Sequence, residues 1–300
     1  NGVSTLDIVR IQRHILGIEE LNTPYKQVAA DANKDYNISA ADLIIIRKLI
    51  LGIEANFTEN ESWVFIDAAY HFVDPSDALS AVYPEDYDIN GLNADMNVDF
   101  VAVKVGDVDN TVTANVNSTS TAERSSKVME FGINKQELKA GQNREINIYT
   151  TEDLETYGFQ FTLELSSDIE LLDISSDGLD LTSENFGYTN LSEGYVTASW
   201  NNMKSVTASE DEVLFTINLI AKQSGSIANV MNINSDVTTA EVYNNTLETM
   251  DIQLNINGQT EIIGYELYQN VPNPFGSETK ISFKTPVDGK VVLTVFDVNG

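Results

Sequence analysis

NGVSTLDIVRIQRHILGIEE, residues 1–20, returns 35 positions later as YNISAADLIIIRKLILGIEA, residues 36–55. Val3 aligns with Ile38, Ser4 with Ser39 and Asp7 with Asp42. Ile8, Ile11 and Ile15 align with Leu43, Ile46 and Ile50. These apolar positions recur at i, i+3 and i+7, which is one face of an α-helix. Gly17 and Gly52 stand where each helix should stop, since glycine adopts the left-handed cap at no steric cost. The repeat therefore predicts two loop–helix units. Neither could bury its stripe alone, and the natural partner for each is the other copy.

The loop before the second helix, DANKDYNISAAD at 31–42, carries the chemistry. It places oxygen donors at loop positions one, three, five, seven, nine and twelve. These are the side chains of Asp31, Asn33 and Asp35, the backbone carbonyl of Asn37, then Ser39 and Asp42. Calcium takes about six to eight oxygens, and a twelve-residue loop feeding a helix delivers them. Asp42 also falls in the first helical turn, where negative charge is favoured. Position six, normally glycine because the backbone needs a positive φ, is Tyr36, at a cost of about 1–2 kcal/mol.

The first repeat supplies only the tail of such a loop, Ser4 and Asp7 at positions nine and twelve. Its earlier ligands would precede Asn1, so this site is expected to be incomplete unless other carboxylates fill in. The abrupt start inside a loop suggests a piece of a longer polypeptide. Two further acidic stretches offer ligand sets or polar loops, the loop reading being preferred for both: DYDINGLNAD at 86–95, where no helix pattern follows and position twelve is Asn97, and GDVDN at 106–110, with Asp107 and Asp109.

Two loop–helix units with Asp at position twelve and an (I/L)-L-G-I ending resemble a type I dockerin over about residues 1–54. The resemblance implies calcium as the bound cation and a cohesin-type domain as partner, in cis or in trans. The family's partner-contacting positions map onto Thr5, Leu6, Gln12 and Arg13, and onto Ala40, Ala41, Arg47 and Lys48.

Residues 55–110 contain two β-rich patterns, WVFIDAAYHF and VDFVAVKVGDV, and are expected to form a small connector module. Residues 111–127, rich in Ser, Thr and Asn, read as a linker. From 128 to 257 the alternation is of period two. GFQFTLELS sets Phe159, Phe161, Leu163 and Leu165 on one face, and VLFTINLIA does the same with Phe215, Ile217 and Leu219. Such strands predict an antiparallel sandwich with one buried face per sheet. YGFQFTLELS, TASW, EVLFTINLIA and TTAEVYN resemble the cohesin-like, carbohydrate-binding type of sandwich. Trp200 and Tyr188 are read as packing residues rather than a sugar platform. Residues 265–300, with YELYQNVPNPF, KISFKTP and VVLTVFDVNG, resemble the opening of a type A sorting domain of type IX secretion. That resemblance implies recognition by an outer-membrane translocon. The expected fold class is thus multidomain and mainly β: a small α dockerin-like calcium-binding helix pair, then antiparallel β-sandwich domains.

Composition narrows the function. Acidic residues outnumber basic ones 46 to 17, for a net charge of −29, which opposes binding to nucleic acid. With no cysteine, disulfides, thiol catalysis and Cys-based zinc sites are excluded. His14 and His71 lie in no catalytic context, and no phosphate loop or nucleophile elbow is present. The expectation is a non-enzymatic, secreted protein of the outer cell surface, structural or adhesive in role. Its alternatives are the scaffold region of a larger polysaccharide-degrading enzyme, or a filament subunit, with polysaccharide or self-association as further partners.

Overall fold

A computed structural model describes residues 2–91, 94–112, 127–176 and 178–256, with short stretches at 266–267, 279–281, 283–284 and 293–294. The fold is mainly β, with three short helices at the N-terminus. Helices α1 (Thr5–Ile15) and α3 (Ala40–Ile50) are the two repeats. Each opens on a capping box, Ser4 with Asp7 and Ser39 with Asp42, which satisfies otherwise orphaned backbone donors. Each closes on a left-handed glycine, Gly17 at φ 66° and Gly52 at φ 65°. There Ile18 N donates to Arg13 O and Gly17 N to His14 O, the paired bonds of a Schellman ending, and the second repeat does the same. Between them lies a helix the sequence reading did not include, α2 (Pro24–Ala30). Its start was marked by Thr23, whose hydroxyl accepts from Lys26 N, and by Pro24 at the first helical position.

The β-rich stretch that follows forms an antiparallel pair, β1 (Trp63–Asp67) and β2 (Phe100–Lys104). Its buried residues Val64, Ile66, Val103, Val105 and Val108 pack in the same apolar core as Ile8, Ile11, Val28, Ile46 and Ile50 of the helices. Backbone joins them as well: Gly106 N donates to Ala29 O at 2.8 Å. Helices that could cover only one another gain a sheet to lie on.

The remaining strands are β3 (Val128–Ile133), β4 (Glu137–Leu138), β5 (Asn143–Thr150), β6 (Leu154–Leu165), β7 (Ile169–Ser175), β8 (Phe186–Gly187), β9 (Tyr195–Ala208), β10 (Val213–Ala221), β11 (Gly225–Ser226), β12 (Met231–Asn234), β13 (Glu241–Asn244) and β14 (Thr249–Ile256). They make one curled sheet in the order β7-β10-β5-β3-β14-β13-β6-β9-β8, with β12 also on β6 and β4 pairing with β11 aside. Phe131, Phe159, Phe161, Trp200 and Phe215 meet within it, the Phe159 and Trp200 rings 5.2 Å apart. Trp200 is thus core, as the alternation of β9 requires. One pairing departs from the antiparallel expectation: β3 and β14 run parallel. They are the first and last strands of the module, and the whole sandwich serves as the long crossover that parallel neighbours need.

Residues 266–267 pair antiparallel with 283–284, which puts a strand inside KISFKT. The rest of the sorting-domain resemblance, and most of the expected linker, lies outside the described residues.

Candidate calcium loops and docking surface

In the second loop, the carboxylates and the Asn33 carboxamide turn inward through backbone bonds. Asp31 Oδ1 and Oδ2 accept from Asp35 N at 3.1 Å and Tyr36 N at 2.9 Å. Asn33 Oδ1 accepts from Asp35 N, and Asp35 Oδ1 from Asn37 N. Asp42 Oδ1 reaches back across the loop to Ala32 N at 2.9 Å and Asn33 N at 3.2 Å, while Oδ2 accepts from Ser39 N. Tyr36 adopts the expected left-handed backbone, at φ 66°, with its ring exposed. Burial pushes the Asp31 and Asp42 carboxyls above their ordinary range, against the backbone donors that lower them. Asp42 is fully buried, and among the described residues no ion pair reaches it; a cation is the charge partner that such a position lacks.

The tightest carboxylate group among the described residues is at the other repeat. Asp7, Asp107 and Asp109 each bring an oxygen within 4.8 Å of the other two. Here the sequence reading is corrected: Asp107 and Asp109 of GDVDN are not a free-standing loop but face Ser4 and Asp7. Burial, then the charges of Asp109 and Asp107, raise the Asp7 carboxyl well above its ordinary value. Burial pushes Asp107 up to about 6. A signal was available, since Asp107, Asp109 and Thr111 have the one-three-five spacing of Asp31, Asn33 and Asp35. Without a helix directly after them it went unread.

Both loops therefore offer hard oxygen donors and no nitrogen or sulfur, the set that calcium prefers.

The helical unit lies on the sandwich, α1 against β6 and β9. Thr5 N donates to Gln160 Oε1 at 2.7 Å, and the Thr5 and Ser199 hydroxyls are 2.7 Å apart. Asn201 bridges both helices: its Nδ2 donates to Gln12 Oε1 at 2.8 Å and its Oδ1 accepts from Arg47. Arg13 donates to the Tyr157 hydroxyl and stacks on its ring. At the far end, the Ile50 and Leu51 carbonyls accept from the hydroxyls of Thr238 and Thr197, both at 2.6 Å. Gly187 permits this approach, for a Cβ there would stand 2.5 Å from Leu51 O. Gln160, Thr197, Ser199 and Thr238, all polar, are all buried.

Of the expected contact positions, Thr5, Gln12, Arg13 and Arg47 hydrogen-bond to the sandwich. Leu6 is buried. Ala40 and Ala41 are exposed, and Lys48 pairs with Glu54 at 3.0 Å instead. Ala40 and Ala41 fall away because the unit lies on the sandwich along α1, from Thr5 to Arg13, and with the end of α3, at Arg47 and the Ile50 and Leu51 carbonyls. Burial lowers the Arg47 pKa, with Glu184 opposing. His14 Nδ1 accepts from Leu21 N and His71 is exposed, so neither joins a site.

Residues 1–51 match the family model described as the dockerin type I domain. Type I dockerins bind calcium. No curated protein matches the chain. Among solved structures, similarity is found to a cohesin–dockerin complex from Acetivibrio cellulolyticus, at 20% identity over 42% of this chain and 94% of that one, TM-score 0.33. A cohesin–dockerin complex from Clostridium thermocellum matches at 12% identity over 45% and 94%, TM-score 0.34. The cohesin module of a Clostridium perfringens family 33 glycoside hydrolase matches at 19% identity over 42% and 98%, TM-score 0.27. Among the described residues, no helix is long and apolar enough to cross a membrane.

Proposed function

We propose that this chain is a non-catalytic assembly unit in which a calcium-loaded dockerin-type region is held in cis by the chain's own cohesin-like sandwich. The observation that carries the reading is the buried polar seam between them, centred on Thr5 with Gln160 and Ser199. Polar groups on a sheet face are buried at a cost unless each is hydrogen-bonded, and here the helical unit supplies the partners. Calcium is held at Asp31, Asn33, Asp35, the Asn37 carbonyl, Ser39 and Asp42. It neutralises the buried carboxylates and fixes the angle at which α3 leaves its loop. Occupied this way, the unit works as a compact spacer of a secreted, surface-associated protein, with residues 265–300 as its export address.

A protease site inserted within residues 113–126 tests the reading. After cleavage, the two halves should co-elute in calcium and separate in chelator. Halves that elute apart in calcium would refute docking in cis.

A further inference from the structure

The geometry points to a split calcium loop: Asp107, Asp109 and Thr111 supply the first half of a site whose second half is Gly2, Ser4 and Asp7. This rests on reading the repeats as calcium loops, but it assigns the ion a set of ligands that no contiguous stretch contains.

The two sites correspond bond for bond. In the second loop, Asp42 Oδ1 accepts from Ala32 N and Asn33 N. At the first site Asp7 Oδ1 accepts from Val108 N and Asp109 N, at 2.8 and 3.2 Å. Asp35 N donates to both Asp31 and Asn33; Thr111 N donates to both Asp107 and Asp109, each at 3.1 Å. Tyr36 N donates to Asp31 Oδ2, and Val112 N to Asp107 Oδ2 at 2.8 Å. Ser39 N and Ser4 N each donate to the position-twelve carboxylate, both at 2.8 Å. Even the left-handed residue at position four recurs, Lys34 at φ 58° and Asn110 at φ 60°. The segment 107–112 thus stands to Asp7 as 31–36 stands to Asp42.

The two segments meet where the loop's backbone ligand belongs. The 35-residue offset equates Gly2 with Asn37, whose carbonyl occupies position seven. The Thr111 hydroxyl donates to Gly2 O at 3.0 Å. Gly2 has φ 81°, and a Cβ on it would lie 2.8 Å from Asp107 Oδ2 and 2.5 Å from Val112 Cβ. The fit admits only glycine. Position three is a carboxamide in the second loop and Asp109 here, while position five is Asp35 there and Thr111 here, so each site carries three carboxylates. An ion at this site staples the end of β2 to the start of α1, two residues from the Thr5 contact with the sandwich.

The test is calcium stoichiometry of the full chain by native mass spectrometry, with titration calorimetry for affinity. Wild-type protein should hold two ions. Asp107→Ala should remove one, Asp109→Asn, which keeps a position-three oxygen but loses its charge, should weaken the same one, and neither should change the other's affinity. Outer-shell changes alone weaken metal sites about 10–100-fold, so loss of a charged ligand should weaken this one at least as much. Asp35→Ala should remove the other ion. Two ions retained in both Asp109→Asn and Asp107→Ala would overturn the split site. So would a single wild-type ion lost only in Asp35→Ala, with the second loop's reading left standing. No calcium bound to any variant or to wild type would remove both readings. Loss of an ion in Asp107→Ala with none in Asp35→Ala would keep the split site and remove the second loop.

Discussion

Asp7 Oδ1 accepts the backbone N–H of Val108 at 2.8 Å, across 101 positions of sequence. Both groups are buried, so the bond closes the helical unit and the β1–β2 pair into one body. It also explains how a carboxylate at the start of α1 stays in the interior: its neighbours there are backbone donors and two more carboxylates. The ion proposed there would supply the counter-charge that this composition lacks.

Chelation should act on the helical unit and spare the sandwich. Ligand binding stabilises by about 2.7 kcal/mol at a concentration 100 times Kd, and the sandwich core contains no carboxylate cluster among the described residues. Calorimetric scans of the full chain are expected to show one transition moving to lower temperature in chelator and a second staying in place. A sandwich transition that falls as far as the helical one would reveal a metal site in the β module.

Ile66 of β1 is fully buried among Ile8, Ile11 and Ile46. Truncation to alanine typically costs about 2–5 kcal/mol at such a position. If helices and hairpin share one core, Ile66→Ala should lower helical circular dichroism melting as well as loosen the hairpin. Helices that melt unchanged would mean the hairpin is a separate module.

The Asn201 side chain contacts both Gln12 and Arg47. Arg47 Nε is already buried without a partner, so Asn201→Ala strips an acceptor from a desolvated charge. Hydrogen bonds to charged groups are worth about 1.5–3 kcal/mol, or about a 10–100-fold loss of affinity between linker-cleaved halves. Lys48→Ala, which removes only the solvated pair with Glu54, should leave that affinity unchanged. Equal effects of the two would show that the seam is not where the binding resides.

Deleting residues 265–300 in the native host should trap the protein inside the cell if that stretch is the export address. Cell-surface fractionation at normal levels would contradict the export role.

Much of this was legible in the residues. The offset between Asp7 and Asp42 gave the helices and their glycine endings, because both are local. The oxygen spacing from Asp31 to Asp42 gave the second loop for the same reason. The alternation of Phe159, Phe161 and Leu163 gave the sandwich core. It could not give the fate of Gln160 and Ser199, since period two assigns the opposite face to water unless something covers it, and what covers it is α1, about 150 residues away. Asp107 and Asp109 stayed hidden because ligand spacing is read along a continuous chain, and their loop closes through space onto Ser4 and Asp7. The strand partners β3 and β14 were hidden by the same distance in sequence.

Docking in cis is tested most directly at Thr5 and Ser199, whose hydroxyl oxygens are 2.7 Å apart. The chain has no cysteine, so Thr5→Cys with Ser199→Cys introduces one possible disulfide against no background. Under mild oxidation in calcium, the double variant should lose both free thiols within a single chain, seen as a faster-migrating monomer on a non-reducing gel. Two free thiols, or a disulfide formed only between chains, would contradict it.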